Sequence, residues 1–195
     1  MPSLRLHGLV WHAHGLRLRL DLAVDSGEVA VVAAEPRVGT ALADVVIGLA
    51  PPLSGTVHRD GRDVTGVPAG MRGIVLVPAG GGLLPHLTVE RNIAYGGDRA
   101  HALDRIRDLH MEGIRRMRPH ELSPMQRLEV AVARALCHEG EPVAMVFEDR
   151  ADQVPYGTAV ETARAHGAAV LVITDLERGA ALDGAARPEE SVDAP

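Results

Sequence analysis

The chain has 195 residues, 46% apolar and 24% charged, which fits a single globular domain; chains of this size bury roughly 70% of their unfolded surface. A formal charge of −6 argues against a general nucleic-acid binder, which needs a basic face, so no nucleic-acid partner is expected. All 20 basic residues are arginine, which excludes any chemistry that requires a lysine amine.

The opening alternates. In "LRLHGLVW" and "LRLRLDLAV" apolar residues recur at every second position, predicting half-buried antiparallel strands. The first residues lack a cationic start followed by an apolar stretch of signal-peptide length, and there is no apolar run of about 18 residues. The expectation is a cytoplasmic protein that meets the inner face of a membrane only through a partner. His12 and His14 share a strand face, which alone is a poor zinc signal. "EVAVVAA" shows no alternation and predicts a strand covered on both faces. It stops at a short turn, and an apolar pattern of helical period runs from Gly39 to about Leu49.

Pro, Gly and Asp in "PPLSGTVHRDGRDVTGVPAG" mark turns around a short strand, "GIVLV" predicts a buried strand, and "PAGGGLLPHLTVERN" predicts a flexible loop. From Thr88 to Cys137 the pattern is helical, with Leu103, Ile106, Leu109 and Ile114 on one side of the first part and Leu128, Val132 and Leu136 on one side of the second. Cys137, the single cysteine, excludes an internal disulfide framework and is read as a buried small apolar residue. "PVAMVF" and "AAVLVIT" predict buried strands, "GTAVETARAHG" a helix ending at Gly167, and "ARPEESVDAP" a disordered tail. The expected architecture is α/β: a single domain over 1–185 with a mainly parallel sheet, N-terminal antiparallel strands and a helical subdomain inserted at about 84–137, then a disordered tail over 186–195.

Five segments in order, "EVAVVAAEPRVGTALADVVIGL", "LSGTVHRDGRDVTGVPAGMRGIVLVPAGGGLLPHLTVERNIAYG", "PHELSPMQRLEVAVARAL", "EPVAMVFEDRADQVP" and "VLVITDLERGAAL", resemble the nucleotide-binding subunit of an ATP-binding cassette (ABC) transporter, with a P-loop NTPase-like core. The resemblance runs from about Ser3 to Leu182. It implies ATP and magnesium as cofactors, a membrane permease as one partner, and a second ABC-type subunit, identical or different, as another.

What the resemblance implies, these residues meet only in part. A phosphate loop G-x-x-x-x-G-K-[ST] works because backbone N–H groups point at phosphates, Lys pairs with their oxygens and a hydroxyl holds magnesium. Here Gly39 falls at the second glycine, Thr40 where Lys belongs and Ala41 where Ser or Thr belongs. A one-residue slip puts Gly39 at the Lys position, and neither register restores a lysine. Pro36 removes an N–H donor, and Arg37 replaces a glycine; its guanidinium either supplies charge-assisted hydrogen bonds to an anion or is a solvated turn residue.

The strand "PVAMVF" runs into Glu148, at the magnesium-ordering position, and Asp149, at that of the carboxylate that polarises the attacking water. This is the reverse of the family's pair, and the two residues read equally well as acidic caps of a strand end. The sensing glutamine falls at Ala79 and the sensing histidine at Thr174, so both contacts are lost. "RADQVP" departs from the family's dimer-contacting pattern. The signature "LSGGQ" stands as "LSPMQ", retaining Leu122, Ser123 and Gln126. Trp11 or His12 lies where an aromatic would stack on the base, with burial of Trp11 as the competing reading.

Three readings remain open. The first is a degenerate cassette subunit, deficient in hydrolysis, acting as a scaffold or half-site beside a permease. The second is a weakly active ATPase using Glu148 and Asp149, with Arg37 in place of the lysine. The third is a soluble regulatory module without a permease.

Overall fold

A computed structural model of the chain describes residues 4–137, 144–149, 156–182 and 184–190. Strands β1 (Leu4–Ala13) and β2 (Leu16–Val24) form an antiparallel hairpin whose two-residue turn, His14 and Gly15, has positive φ at both positions, the mirror-image turn that suits strand twist. His14 therefore lies in the turn and does not share a strand face with His12. Gly8, at φ 52, marks a bulge between Leu6 and Leu9, and beyond it Leu9, Trp11 and Ala13 all face inward.

Strands β4 (Ser54–Arg59) and β5 (Arg62–Asp63) extend this sheet on one side and β9 (Glu189–Glu190) on the other, in the order β5-β4-β1-β2-β9. Residues 186–190, which their polarity marks as disordered, are instead attached. Glu189 and Glu190 pair with Arg19 and Leu18, and Ala186 bridges Val32. The backbone supplies these bonds, so side-chain polarity carries no sign of them. Residues 191–195 lie outside the described residues.

The second sheet is parallel, β3-β8-β7-β6, built from β3 (Val29–Ala33), β6 (Ile74–Val77), β7 (Ala144–Glu148) and β8 (Ala169–Thr174). Every residue of β8 is buried, as an unalternating apolar strand requires when helices cover both faces. On one face Val32, Val146, Leu171 and Ile173 pack with α1 (Pro36–Ile47) and the antiparallel sheet. On the other, Met145, Phe147, Val170 and Val172 pack with α4 (Pro124–Leu136) and α5 (Gly157–Ala165).

A third cluster belongs to the region between the strands. Val89 and Ile93 of α2 (Val89–Ala94), Ala102 and Ile106 of α3 (Arg99–Asp108), and Val130, Ala133 and Cys137 at α4 close on Leu122 and Met111. Leu103, Leu109 and Ile114 are only half-buried against this cluster, because α3 ends at Asp108 and His110 takes φ 55. Asn92, fully buried, fixes the loop before α2: its Oδ1 accepts from Leu84 N at 2.8 Å, and its Nδ2 donates to the carbonyls of Leu84, Leu87 and Thr88. The expected flexible stretch is thus tied down by one amide side chain using both its donor and acceptor ends. Among the described residues no helix is long and apolar enough to cross a membrane.

Candidate functional site

The C-terminal ends of parallel strands are where α/β sheets place ligands. There β3 gives way to α1 after two residues only, Ala34 and Glu35. Pro36 starts the helix, and Gly39 N already donates to Glu35 O at 2.8 Å. Residues 36–39 therefore form a helical first turn where a phosphate loop needs extended, glycine-rich backbone. The cause is local: proline's φ suits the first helical position, and Arg37 and Val38 disfavour the positive φ that glycines permit. Arg37 is exposed on this turn.

Gly39 is buried, and a Cβ there would stand 2.7 Å from Ile173 Cγ2. Its lack of a side chain lets α1 lie close on β8. Thr40 donates its hydroxyl to Glu148 Oε1 at 3.0 Å, whereas Ala41 is half-buried against the core. Of the two registers left open by the sequence, only the slipped one, with Gly39 at the lysine position, sets a hydroxyl against the carboxylate at the end of β7. The primary alignment, with Thr40 at the lysine position and Ala41 at the hydroxyl position, is corrected by that hydrogen bond.

Asp149 is held more tightly. Its side chain is 1% exposed; Oδ2 accepts from Thr174 Oγ1 at 2.8 Å, and Oδ1 accepts from Arg178 Nη1 at 2.5 Å. The main chain is fixed as well, with Asp149 N donating to Ile173 O at 2.8 Å. Each carboxylate oxygen is engaged in a hydrogen bond and the side chain is buried, an environment that does not favour Asp149 as the group polarising a water. The hydrogen bond to Asp149 raises the pKa of the Arg178 guanidinium further. Burial first, and the charge of Asp149 second, push the neighbouring Tyr156 phenol up.

Arg178 escaped the sequence reading. It lies on α6 (Leu176–Ala180), 29 residues from Asp149, at a position in the last family-like segment to which no role was attached. The one available signal was Asp175 directly after β8, an N-cap that predicts a helix there; its Oδ1 accepts from Arg178 N at 2.8 Å.

The remaining predicted positions lie elsewhere. Trp11 is 1% exposed in the core beneath α1 and cannot stack on a base; its alternation with Leu9 and Ala13 carries that answer, because both neighbours face inward. His12 is exposed. Ala79 opens a short turn followed by Gly80, Gly81 and Gly82, all at positive φ, and Arg134 of α4 donates to the carbonyls of Gly81 and Gly82. Leu122 is buried in the third cluster. Ser123 and Gln126 satisfy one another in a capping box: Ser123 Oγ accepts from Gln126 N at 3.2 Å, and Gln126 Oε1 accepts from Ser123 N at 2.9 Å. Residues 150–155, the expected dimer-contacting segment, lie outside the described residues.

These contacts leave little for magnesium. The ion demands near-octahedral oxygen ligands, yet Glu148 Oε1 is bonded to Thr40 and both oxygens of Asp149 are taken. With no lysine in the chain and a helical first turn at Pro36, the residues present do not supply the phosphate contacts that hold a magnesium-nucleotide.

The chain was compared with known proteins. Residues 19–145 match the family model described as ABC transporter. The thiamine import ATP-binding protein ThiQ of Escherichia coli is 32% identical over 155 residues, covering 74% of this chain and 66% of that protein. The sn-glycerol-3-phosphate import ATP-binding protein UgpC of Salmonella choleraesuis is 34% identical over 140 residues, covering 67% of this chain and 39% of that protein. The matches thus span about two thirds and about two fifths of these relatives' lengths. Among solved structures, a nucleotide-free ATP-binding cassette from an ABC transporter superposes with a TM-score of 0.73 at 19% identity over 90% of this chain and 81% of that one. An ATP-binding cassette in its ADP conformation gives 0.71 at 20% identity over 90% and 82%. Fold, ordered motifs and family match agree, and the chain belongs to the ABC transporter family.

Proposed function

We propose that the chain is a cassette subunit of an importer-type ABC transporter whose own nucleotide site does not hydrolyse ATP, and that it acts as a scaffold or degenerate half-site. In this reading the helical region docks on a membrane permease at the inner face of the membrane, and a second cassette subunit, identical or different, completes the pair. The supporting observation is Asp149, buried with both oxygens occupied by Thr174 and Arg178. The helical first turn at Pro36 and the absence of any lysine point the same way. Removing one transition-state donor commonly costs about 10²–10³ in rate, and here several are missing together.

A second reading, slow magnesium-dependent hydrolysis, is favoured by one observation, Thr40 poised 3.0 Å from Glu148. Calorimetric titration with ATP and magnesium, followed by phosphate release, separates the two. No binding at millimolar nucleotide and no release are expected; micromolar binding with turnover overturns the proposal. Co-purification with an integral membrane protein, lost when the exposed Tyr95 beside α2 is changed to Asp, is expected of the scaffold. A chain that purifies alone from membrane extracts is instead a free regulatory module.

A further inference from the structure

We propose that Arg178 is the resident cation of this site: its guanidinium neutralises the buried Asp149 carboxylate beyond β7 and makes that end stable with no divalent ion bound. The inference rests on reading the site as one that does not hydrolyse ATP, and it adds what compensates the buried charge there.

Two adjacent carboxylates, Glu148 and Asp149, end a strand buried on both faces. A carboxylate as deeply buried as Asp149 is costly unless a charge and hydrogen bonds compensate it. Thr174 supplies one hydrogen bond and Arg178 supplies both another and the charge. Glu148 is half-buried and its hydrogen bond comes from the neutral Thr40, so Arg178 is the only cation with a hydrogen bond to this pair among the described residues.

The guanidinium is also positioned from behind. Asp175 caps α6 through the N–H of Arg178 itself. The helix is seated by Gly179, which is buried so closely on Ala33, the last residue of β3, that a Cβ would collide with the alanine side chain. The side chain of Arg178 is 34% exposed, so the cation reaches the buried carboxylate from the solvent side, the approach a dissolved ion would take. An entering divalent ion would have to displace this group and place like charges together.

Thermal unfolding of the full chain in EDTA, magnesium chloride and manganese chloride tests the inference. The parent chain is expected to melt at the same temperature in all three. Arg178→Met, which strands a buried charge, should melt about 10 °C lower in EDTA, with manganese restoring most of the loss. Asp149→Asn combined with Arg178→Met should recover stability in EDTA and gain nothing from manganese.

An Arg178→Met protein as stable as the parent overturns the proposal. So does one that is destabilised but indifferent to manganese, the behaviour of an ordinary structural ion pair. A parent chain stabilised by manganese through Glu148 overturns it as well. Should the single variant fail to fold in EDTA, its refolding in manganese decides: recovery supports the inference, and no recovery rejects it. Phosphate release by the parent chain would overturn the hydrolysis-deficient reading, an outcome distinct from any melting shift.

Discussion

At the C-terminal end of α1 the buried Arg72 donates to the carbonyls of Val45 and Val46 at 3.0 Å each, while its remaining donors reach Val67 and Thr65, and Gly48 turns the chain away at φ 91. At the N-terminal end Pro36 has no N–H to offer, Glu35 makes no side-chain cap and Arg37 is exposed. One helix thus has a sealed end and an open one. The sealed end is where its partial negative charge meets a buried cation; desolvation lowers the Arg72 pKa, and four carbonyls hold the guanidinium. In phosphate-gripping relatives the open end is capped by the ligand. Here that end carries no lysine and no side-chain cap of its own, which separates what holds the helix from what would hold a ligand.

The sharpest test of the sealed end is Arg72→Met. It leaves several buried carbonyls unpaired and should cost about 3 kcal/mol or more in urea unfolding. A loss well under 1 kcal/mol would mean that water replaces the guanidinium, and the contrast between the two ends would collapse.

Next in size is Gly39→Ala, expected to cost about 1–3 kcal/mol because the new methyl meets Ile173. Gly39→Lys, which restores the family's residue in the register set by Thr40, should destabilise further and release no phosphate from ATP; a gain of turnover would show that the open end still forms a phosphate site. A smaller change, of opposite sign, is expected for Glu35→Ser. Its backbone, φ −57 and ψ 146, already suits a cap, so a hydroxyl should stabilise by about 0.5–1 kcal/mol in thermal melts. No gain would mean that the end is already satisfied.

The smallest effect lies away from α1. Glu90, 12% exposed, accepts from Arg99 at 3.0 Å and from Arg115 at 2.7 Å. Burial pushes its carboxyl up, but those two hydrogen bonds outweigh it and its pKa falls below the ordinary 4.5. A lowered carboxyl pKa stabilises fully above the ordinary value and loses that contribution as pH falls through the folded one. Glu90→Gln should therefore cost about 0.5–1 kcal/mol at neutral pH, with the difference from the parent vanishing in acid.

What was legible in the sequence was whatever repeats locally. The unalternating β7 and β8, the alternating hairpin and the helical periods after Thr88 all follow from spacing, and the ordered segments named the family; β3, expected to be covered on both faces, is an edge strand buried only at Val32 and Ala33. The tertiary choices were not legible. Thr40 rather than Ala41 faces Glu148 because α1 begins at Pro36 and Gly39 sits on Ile173, a contact across 134 residues. Arg178 reaches the motif residue Asp149 from 29 positions away, and Arg72 bonds to main-chain carbonyls that carry no side-chain signal. The tail's attachment depends on main-chain hydrogen bonds, which leave no compositional trace. Trp11 could have been read from its alternation with Leu9 and Ala13, had the stacking position not drawn it outward.

The burial of Trp11 also fixes what an optical experiment on this chain will report. As the only indole, packed between the antiparallel sheet and α1, it makes intrinsic emission a monitor of how those two layers come apart. Events at the open end of α1 or at Asp149 should leave the spectrum unmoved while the fold is intact. A red shift under denaturant then dates the loss of the N-terminal sheet, and quenching by a soluble agent measures how often that sheet opens.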